Sequence, residues 1–320
     1  MSLPVVPDTG VFTKRNQKIV NSNFSILTTP DLWVRPQYGD NNNAGTYEKP
    51  LATMAGTSKY LKPGMVIGIE GVLTEEYSSP RVNDVTLLGM GNQPRQATTS
   101  GVPNGGGATW LSPSGGTGAL LQPNGQGWLI QNLFFNNSAT AAGCIKLVNA
   151  GDPPTSNCSE RASIVNCVLT GADDGIAALD LPNNVLVDGC TFFLFSGSGD
   201  LAISSAAGAG TGTLNNWLIQ NCRFLGNANH ITGAFTSSTI RNCEFSYIWT
   251  GVTTTTQVVL TSGSNNDIYN NRFAVPFNQN GLTAMFASGT NDRWGANSMG
   301  TAVLTPMTGV LWGVPVSGAS

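Results

Sequence analysis

Two adjacent carboxylates, Asp173 and Asp174 in Gly171-Ala172-Asp173-Asp174-Gly175-Ile176, are the chain's candidates for proton-transfer chemistry. Neighbouring residues on a strand face opposite ways, but on a bend both reach solvent, and a glycosidase needs two carboxyls about 5 to 9.5 Å apart. The plainer reading, which the sequence favours, is an Asp-Gly turn. Asp188, Asp200 and Asp267 fall near later bends and join Asp174 in a cleft only if successive passes of the chain stack them together. Isolated aspartates at bends more often accept backbone N–H bonds than transfer protons. His230, the single histidine, lies in Asn227-Ala228-Asn229-His230-Ile231, with no acidic neighbour to orient it as a base. Asp40-Asn41-Asn42-Asn43 is oxygen-rich enough to hold Ca²⁺ near Asp40, but it lacks the alternating spacing and terminal Glu of an EF-hand, and the sequence favours a plain Asn-rich loop. Tyr247, Trp249 and Trp294 are candidate surface rings for a sugar or for another subunit.

The elements that must position these groups repeat along the chain. Gln131-Asn132-Leu133-Phe134, Asn166-Cys167-Val168-Leu169, Gly189-Cys190-Thr191-Phe192, Asn221-Cys222-Arg223-Phe224, Asn242-Cys243-Glu244-Phe245 and Asn270-Asn271-Arg272-Phe273 share one pattern, with a weaker match at Asn297-Ser298-Met299. The positions Leu133, Cys167, Cys190, Cys222, Cys243, Asn271 and Asn297 are separated by 34, 23, 32, 21, 28 and 26, so loops of varying length interrupt a constant unit. A short apolar strand precedes most of them, as in Trp217-Leu218-Ile219. Strand, bend at Asn or Gly, then strand is a coil corner. The period of two sends Cys222 and Phe224 inward and Arg223 out, with Glu244 and Arg272 outward likewise. Stacked coils superimpose the cysteines, the phenylalanines and the bend asparagines into columns. Looser units at Met65-Val66-Ile67-Gly68-Ile69, Val85-Thr86-Leu87-Leu88-Gly89 and Ala108-Thr109-Trp110-Leu111 bring the expected total to nine or ten coils. Helical spacing of Leu51, Met54, Ser58 and Leu61, ended by Lys62-Pro63-Gly64, predicts a helix that caps the open N-terminal end.

Composition narrows the partners. Charged residues make up 10% of 320, the net charge is −3 and the pI is near 5.1. No Lys/Arg cluster is present to neutralise phosphates or an anionic membrane surface, so neither nucleic acid nor membrane is expected. The N-terminus shows no basic start followed by an apolar run, and no segment approaches the ~18 apolar residues of a membrane span. Four of six cysteines occupy the repeat, which points to packing rather than zinc or disulfides, while Cys144 and Cys158 lie off it and are free to pair.

Trp33-Val34-Arg35-Pro36, the loop Gly39-Asp40-Asn41-Asn42-Asn43-Ala44-Gly45-Thr46, then Lys49-Pro50-Leu51-Ala52-Thr53 and Lys62-Pro63-Gly64-Met65-Val66-Ile67 resemble the opening of pectate-lyase-like, right-handed parallel β-helix proteins. The resemblance runs through the coils to about residue 300 and implies an all-β rod. That superfamily includes lyases, glycosidases, adhesins and phage particle proteins. Its enzymes work on acidic or neutral polysaccharides in a groove along the rod, with paired carboxylates or a Ca²⁺ site and a basic residue. Asp173-Asp174 resembles the paired aspartates of the polygalacturonase group, which also expects a His and an Arg-x-Lys downstream; no Arg-x-Lys occurs here.

Three regions are expected: an arm at 1–30, the β-helix at 31–300 and a tail at 301–320. Val20, Phe24 and Leu27 on the arm and Leu311 and Trp312 on the tail are candidate interface contacts. A short arm before a β-helix resembles bacteriophage virion proteins made in the host cytoplasm and attached to the particle surface. The expectation is therefore a non-enzymatic virion protein without cofactor, a capsid decoration or spike-like component. Its partners would be two further copies in a homotrimer, other virion proteins such as the major capsid protein, and host-surface glycans. The alternatives are a polysaccharide depolymerase, either tailspike glycosidase or lyase, and a carbohydrate-binding adhesin.

Overall fold

The computed structural model describes residues 29–91, 108–138, 143–148, 159–195, 199–206, 213–227, 229–246, 256–259, 263–273, 284–287 and 290–299. Among them nearly every regular element is a short strand, and the strands form three large all-parallel sheets of ten, nine and eight members and one parallel pair, Leu214–Asn215 with Phe235–Thr236. After the outermost strand, Leu32–Val34, the chain visits the three large sheets in turn. Ser163–Val165 lies in the first, Val168–Gly171 in the second and Ile176–Leu179 in the third, after which Leu186–Asp188 returns beside Ser163–Val165. The chain thus winds about one axis as a right-handed parallel β-helix, the hand that parallel crossovers adopt.

Alternation fills the core as the repeat predicts. On the first sheet Ile67, Leu87, Ile130, Ile164, Val187, Ile219, Ile240 and Ile268 pair in register, and all are buried. On the second, Phe192, Phe224, Phe245 and Phe273 stack with centroids 4.9, 4.8 and 4.9 Å apart and planes within 11°. That spacing equals the ~4.8 Å between strands, so the backbone itself sets the stack. Outside the same strands, Arg223, Glu244 and Arg272 form a row of ion pairs at 3.2 and 3.8 Å.

Corners between the first and second sheets are made by Asn132, Asn166, Asn221, Asn242 and Asn270, all left-handed with φ between +51° and +60°, and by Gly189 at +64°. Short polar Asn tolerates that region better than other side chains. Immediately after each corner the buried Cys167, Cys190, Cys222 and Cys243 direct their thiols at backbone carbonyls, as in Cys222 to Gln220 at 3.1 Å. The column then changes chemistry. Asn271 Oδ1 accepts the Cys243 N–H at 2.9 Å, and Asn297 Oδ1 accepts the Asn271 N–H at 2.9 Å. Cys144 is a free thiol donating to the Thr170 carbonyl, and burial pushes it up to about 12; Cys158 lies outside the described residues.

The N-terminal cap differs in extent from its sequence expectation. Helix occupies only Met54–Thr57, with the Thr53 side chain accepting the Gly56 N–H at 3.0 Å and Glu75 accepting those of Met54 and Ala55 at 2.6 and 3.2 Å. Leu51 is not helical. It bridges Val34, taking the Arg35 N–H and giving its own to Trp33, because the outermost strand Leu32–Val34 would otherwise leave those groups unpaired. The arm and the tail, with Val20, Phe24, Leu27, Leu311 and Trp312, lie outside the described residues.

Candidate functional site

The floor of the site is the outer face of the third sheet. Ile145, Ile176, Ile203 and Ile231 are in register and fully buried, so the residues that follow them, Lys146, Ala177, Ser204 and Thr232, form an outward row. Gln122 and Ser78 extend the row toward the N-terminal end.

Acidic residues sit where two of these strands begin. Asp173 and Asp174 lead into Ile176–Leu179, and Asp200 leads into Leu201–Ala206 on the next coil. Asp173 and Asp200 each lie three residues ahead of the paired Ile176 and Ile203, and both charges act on Asp174. Asp174 is held from both sides. Its Oδ1 accepts the Leu201 N–H at 3.0 Å, its Oδ2 accepts the Ser204 hydroxyl, and its carbonyl accepts the Cys144 N–H at 2.8 Å from the preceding coil. Burial pushes the Asp174 carboxyl up to about 6, with the nearby charges of Asp173 and Asp200 adding to the effect and the Ser204 and Leu201 bonds opposing it. Asp173 is also raised by burial, against a hydrogen bond from the Asp174 backbone. Asp200 is buried, at 8% exposure. Gly175 is here for closeness rather than for a left-handed turn: a Cβ on it would lie 2.5 Å from the Ala202 carbonyl oxygen.

The remaining sequence candidates are scattered. Asp188 lies on the first sheet and accepts from Asn221 Nδ2 at 2.8 Å, and Asp267, also on the first sheet, pairs with Arg293 at 2.5 Å; only Asp200 joins Asp174. His230 is fully buried between the rings of Phe224 and Phe245, at 5.7 and 5.5 Å, with Nδ1 3.1 Å from Asn227 Nδ2; it is a core residue. In the Asp40 loop, Asp40 Oδ1 accepts two bonds from Asn42, and Asn41 Oδ1 accepts the N–H groups of Ala52 and Thr53. Those oxygens already serve the loop, and no cluster of three acidic, His or Cys ligands forms among the described residues. Tyr247 and Trp249 fall outside the described residues, and Trp294 pairs with Ile268 in the first sheet. Among the described residues the exposed rings are Tyr38 and Tyr47, which flank the Arg35 guanidinium at 5.0 and 4.5 Å while Arg35 pairs with Glu70 at 3.0 Å. Ser204 and Lys146 escaped the sequence reading because nothing but the coil register marks them.

No protein-family model matches this chain, and no curated protein sequence is significantly similar to it. Solved structures do match. A GH136 lacto-N-biosidase from Eubacterium ramulus superposes with a TM-score of 0.52 at 11% identity, over 84% of this chain and 55% of that one; this chain thus spans little more than half that enzyme. The pectin methylesterase PemA from Erwinia chrysanthemi gives 0.51 at 12% identity, over 88% and 92%. A tailspike protein of Acinetobacter baumannii bacteriophage Fri1, a capsular polysaccharide depolymerase, gives 0.43 at 12% identity, over 88% and 65%. At these identities the likeness is one of fold. The expectation of a non-enzymatic chain is nevertheless corrected: the lacto-N-biosidase and the pectin methylesterase, each matched above 0.5, are carbohydrate-active enzymes.

Proposed function

We propose that this protein is a polysaccharide-cleaving glycosidase that works on the outer face of the third sheet. The observation that carries this reading is Asp174, a carboxyl near 6 fixed by Ser204 and the Leu201 N–H, with Asp173 and Asp200 close enough to raise it. A general acid is most effective when its pKa lies near the working pH, and burial beside like charges produces that condition. Asp174 donates its proton to the glycosidic oxygen as the C–O bond breaks. Asp173, the less buried of the pair, takes the carboxylate's part and either attacks the anomeric carbon or takes a proton from the water that does. Asp200 serves as a positioning residue, its charge favouring the protonated form of Asp174.

Reducing-end release from a panel of capsular and pectic polysaccharides tests this. Asp174→Asn and Asp173→Asn are each expected to slow release by about 10²- to 10⁴-fold while circular dichroism shows the rod intact. Release that both variants leave unchanged, or no release from any polysaccharide, would refute the assignment.

A further inference from the structure

Three residues close successive strands of the first sheet. Gln220, Arg241 and Tyr269 are in register, and each follows a buried isoleucine and precedes a left-handed asparagine. They therefore point outward, and all three are half-buried. From the preceding coil, Gln220 Oε1 accepts from Arg241 Nε and Nη2 at 2.9 and 2.7 Å. From the following coil, the Tyr269 hydroxyl accepts from Arg241 Nη1 at 3.0 Å. A guanidinium has five N–H groups in a fixed plane. Three are used here, so one remains on Nη1 and one on Nη2, the pair that grips two oxygens of an anion. The same bonds consume acceptors on both neighbours. With its oxygen turned to Arg241, Gln220 has its amide nitrogen left to donate, and Tyr269 keeps its O–H. The row thus presents donors around a fixed positive charge. That charge is met by no carboxylate: Glu244 serves Arg223 and Arg272, Asp267 serves Arg293, and Arg241 forms no ion pair with a described residue.

We infer that Gln220, Arg241 and Tyr269 form a binding site for one tetrahedral oxyanion, a phosphate or sulfate group, on a sheet that the proposed chemistry does not use. Arg241 takes two of its oxygens and the Tyr269 hydroxyl a third. A planar carboxylate would fill the guanidinium fork and leave that third donor idle. The site suits a single group and not a run of them, because the neighbouring Arg223 and Arg272 are already joined to Glu244. Asp188 bounds it on one side. Its strand pairs with that of Gln220, two coil steps or about 10 Å from Arg241, and its carboxylate is held by Asn221 at 2.8 Å, so repulsion places the anion toward Tyr269. Because the guanidinium is held on two sides before any ligand arrives, little ordering is left to oppose binding.

Equilibrium dialysis of the full chain against labelled inorganic phosphate, at constant ionic strength in chloride, tests this. One phosphate per chain is expected. Arg241→Gln should weaken binding about 10- to 100-fold, the loss of a charge-assisted pair of bonds. Arg241→Lys keeps the charge without the fork and should recover only part of it. Tyr269→Phe should weaken binding about 3- to 10-fold, and Arg272→Gln, on the adjoining sheet, should bind like wild type. Circular dichroism checks that strand content is kept; Tyr269→Phe, which removes one hydroxyl, carries the test if Arg241→Gln does not fold. Unlabelled sulfate should displace phosphate, and acetate should do so about 10-fold less well. Displacement by methyl phosphate as strong as by the inorganic ion identifies an esterified group as the ligand, whereas displacement by inorganic anions alone identifies the free ion; either supports the site. No saturable binding, an Arg241→Gln variant that binds like wild type, or acetate competing as well as sulfate overturns the inference. None of these outcomes bears on Asp174-dependent release from polysaccharides, so the two proposals fail separately.

Discussion

Protonation of Asp174 links the proposed chemistry to stability. Its folded-state value of about 6 lies above that of a free aspartate, near 3.9. Between those values the folded protein holds a proton that the unfolded chain has lost, so stability falls as pH rises from about 4 to about 6 and stays at its lower level above. The loss amounts to roughly 2 to 3 kcal/mol at most. Asn keeps the same shape and hydrogen-bonding reach without the charge. Asp174→Asn should therefore raise the urea midpoint at pH 7.5 and match wild type near pH 4; parallel pH profiles for the two would show that Asp174 is not the shifted group. Rate should show the same group as an alkaline limb near pH 6, since the acid must be protonated to act. Ser204→Ala removes a bond to the ionised form and should move that limb up by about one pH unit, with Ser204→Thr restoring it. Asp173 and Asp174 could be read from the sequence as a possible acid pair. Asp200 is offered by the sequence only as one of three aspartates that stacking could bring to Asp174, and Ser204 is not marked at all, because coil lengths vary too much to count across the 26 and 30 residues that separate them from Asp174.

Strands and corners were the more legible level. Asn-Cys-x-Phe states in four residues a left-handed bend, an inward thiol, an outward position and an inward ring, and the structure follows it at Asn221 and Asn242. Phe224 sits mid-stack between Phe192 and Phe245, so Phe224→Ala should cost about 3 to 5 kcal/mol in denaturant unfolding. Arg223→Ala, next to it but outward in an exposed ion pair, should cost less than about 1 kcal/mol. Equal costs would contradict the alternation. The capping helix is shorter than its spacing predicts: Leu51, three residues before Met54, fits the helical period and yet lies in a strand-like bridge. What decides between them is the unpaired edge of Leu32–Val34, a tertiary demand that local spacing does not carry.

Taken as a whole molecule, the rod is held by nearest-neighbour coils, each bonded to the one before and the one after. The segment from Asn221 to Arg241 is one full coil, since Asn221 and Asn242 hold the same left-handed corner and Arg223 pairs with Glu244. Joining Gln220 directly to Asn242 should therefore give a cooperatively folding rod with unchanged strand content by circular dichroism. Removing one residue fewer should not, because every inward side chain beyond the join would change face. Collapse of both deletions alike would mean that the coils are not interchangeable. If they are, the length of this molecule is an integer. Each added or lost circuit moves the two ends by about 4.8 Å. The reach of the groove, and with it the number of sugars it grips, would then change in whole steps, without any alteration to the residues at its centre.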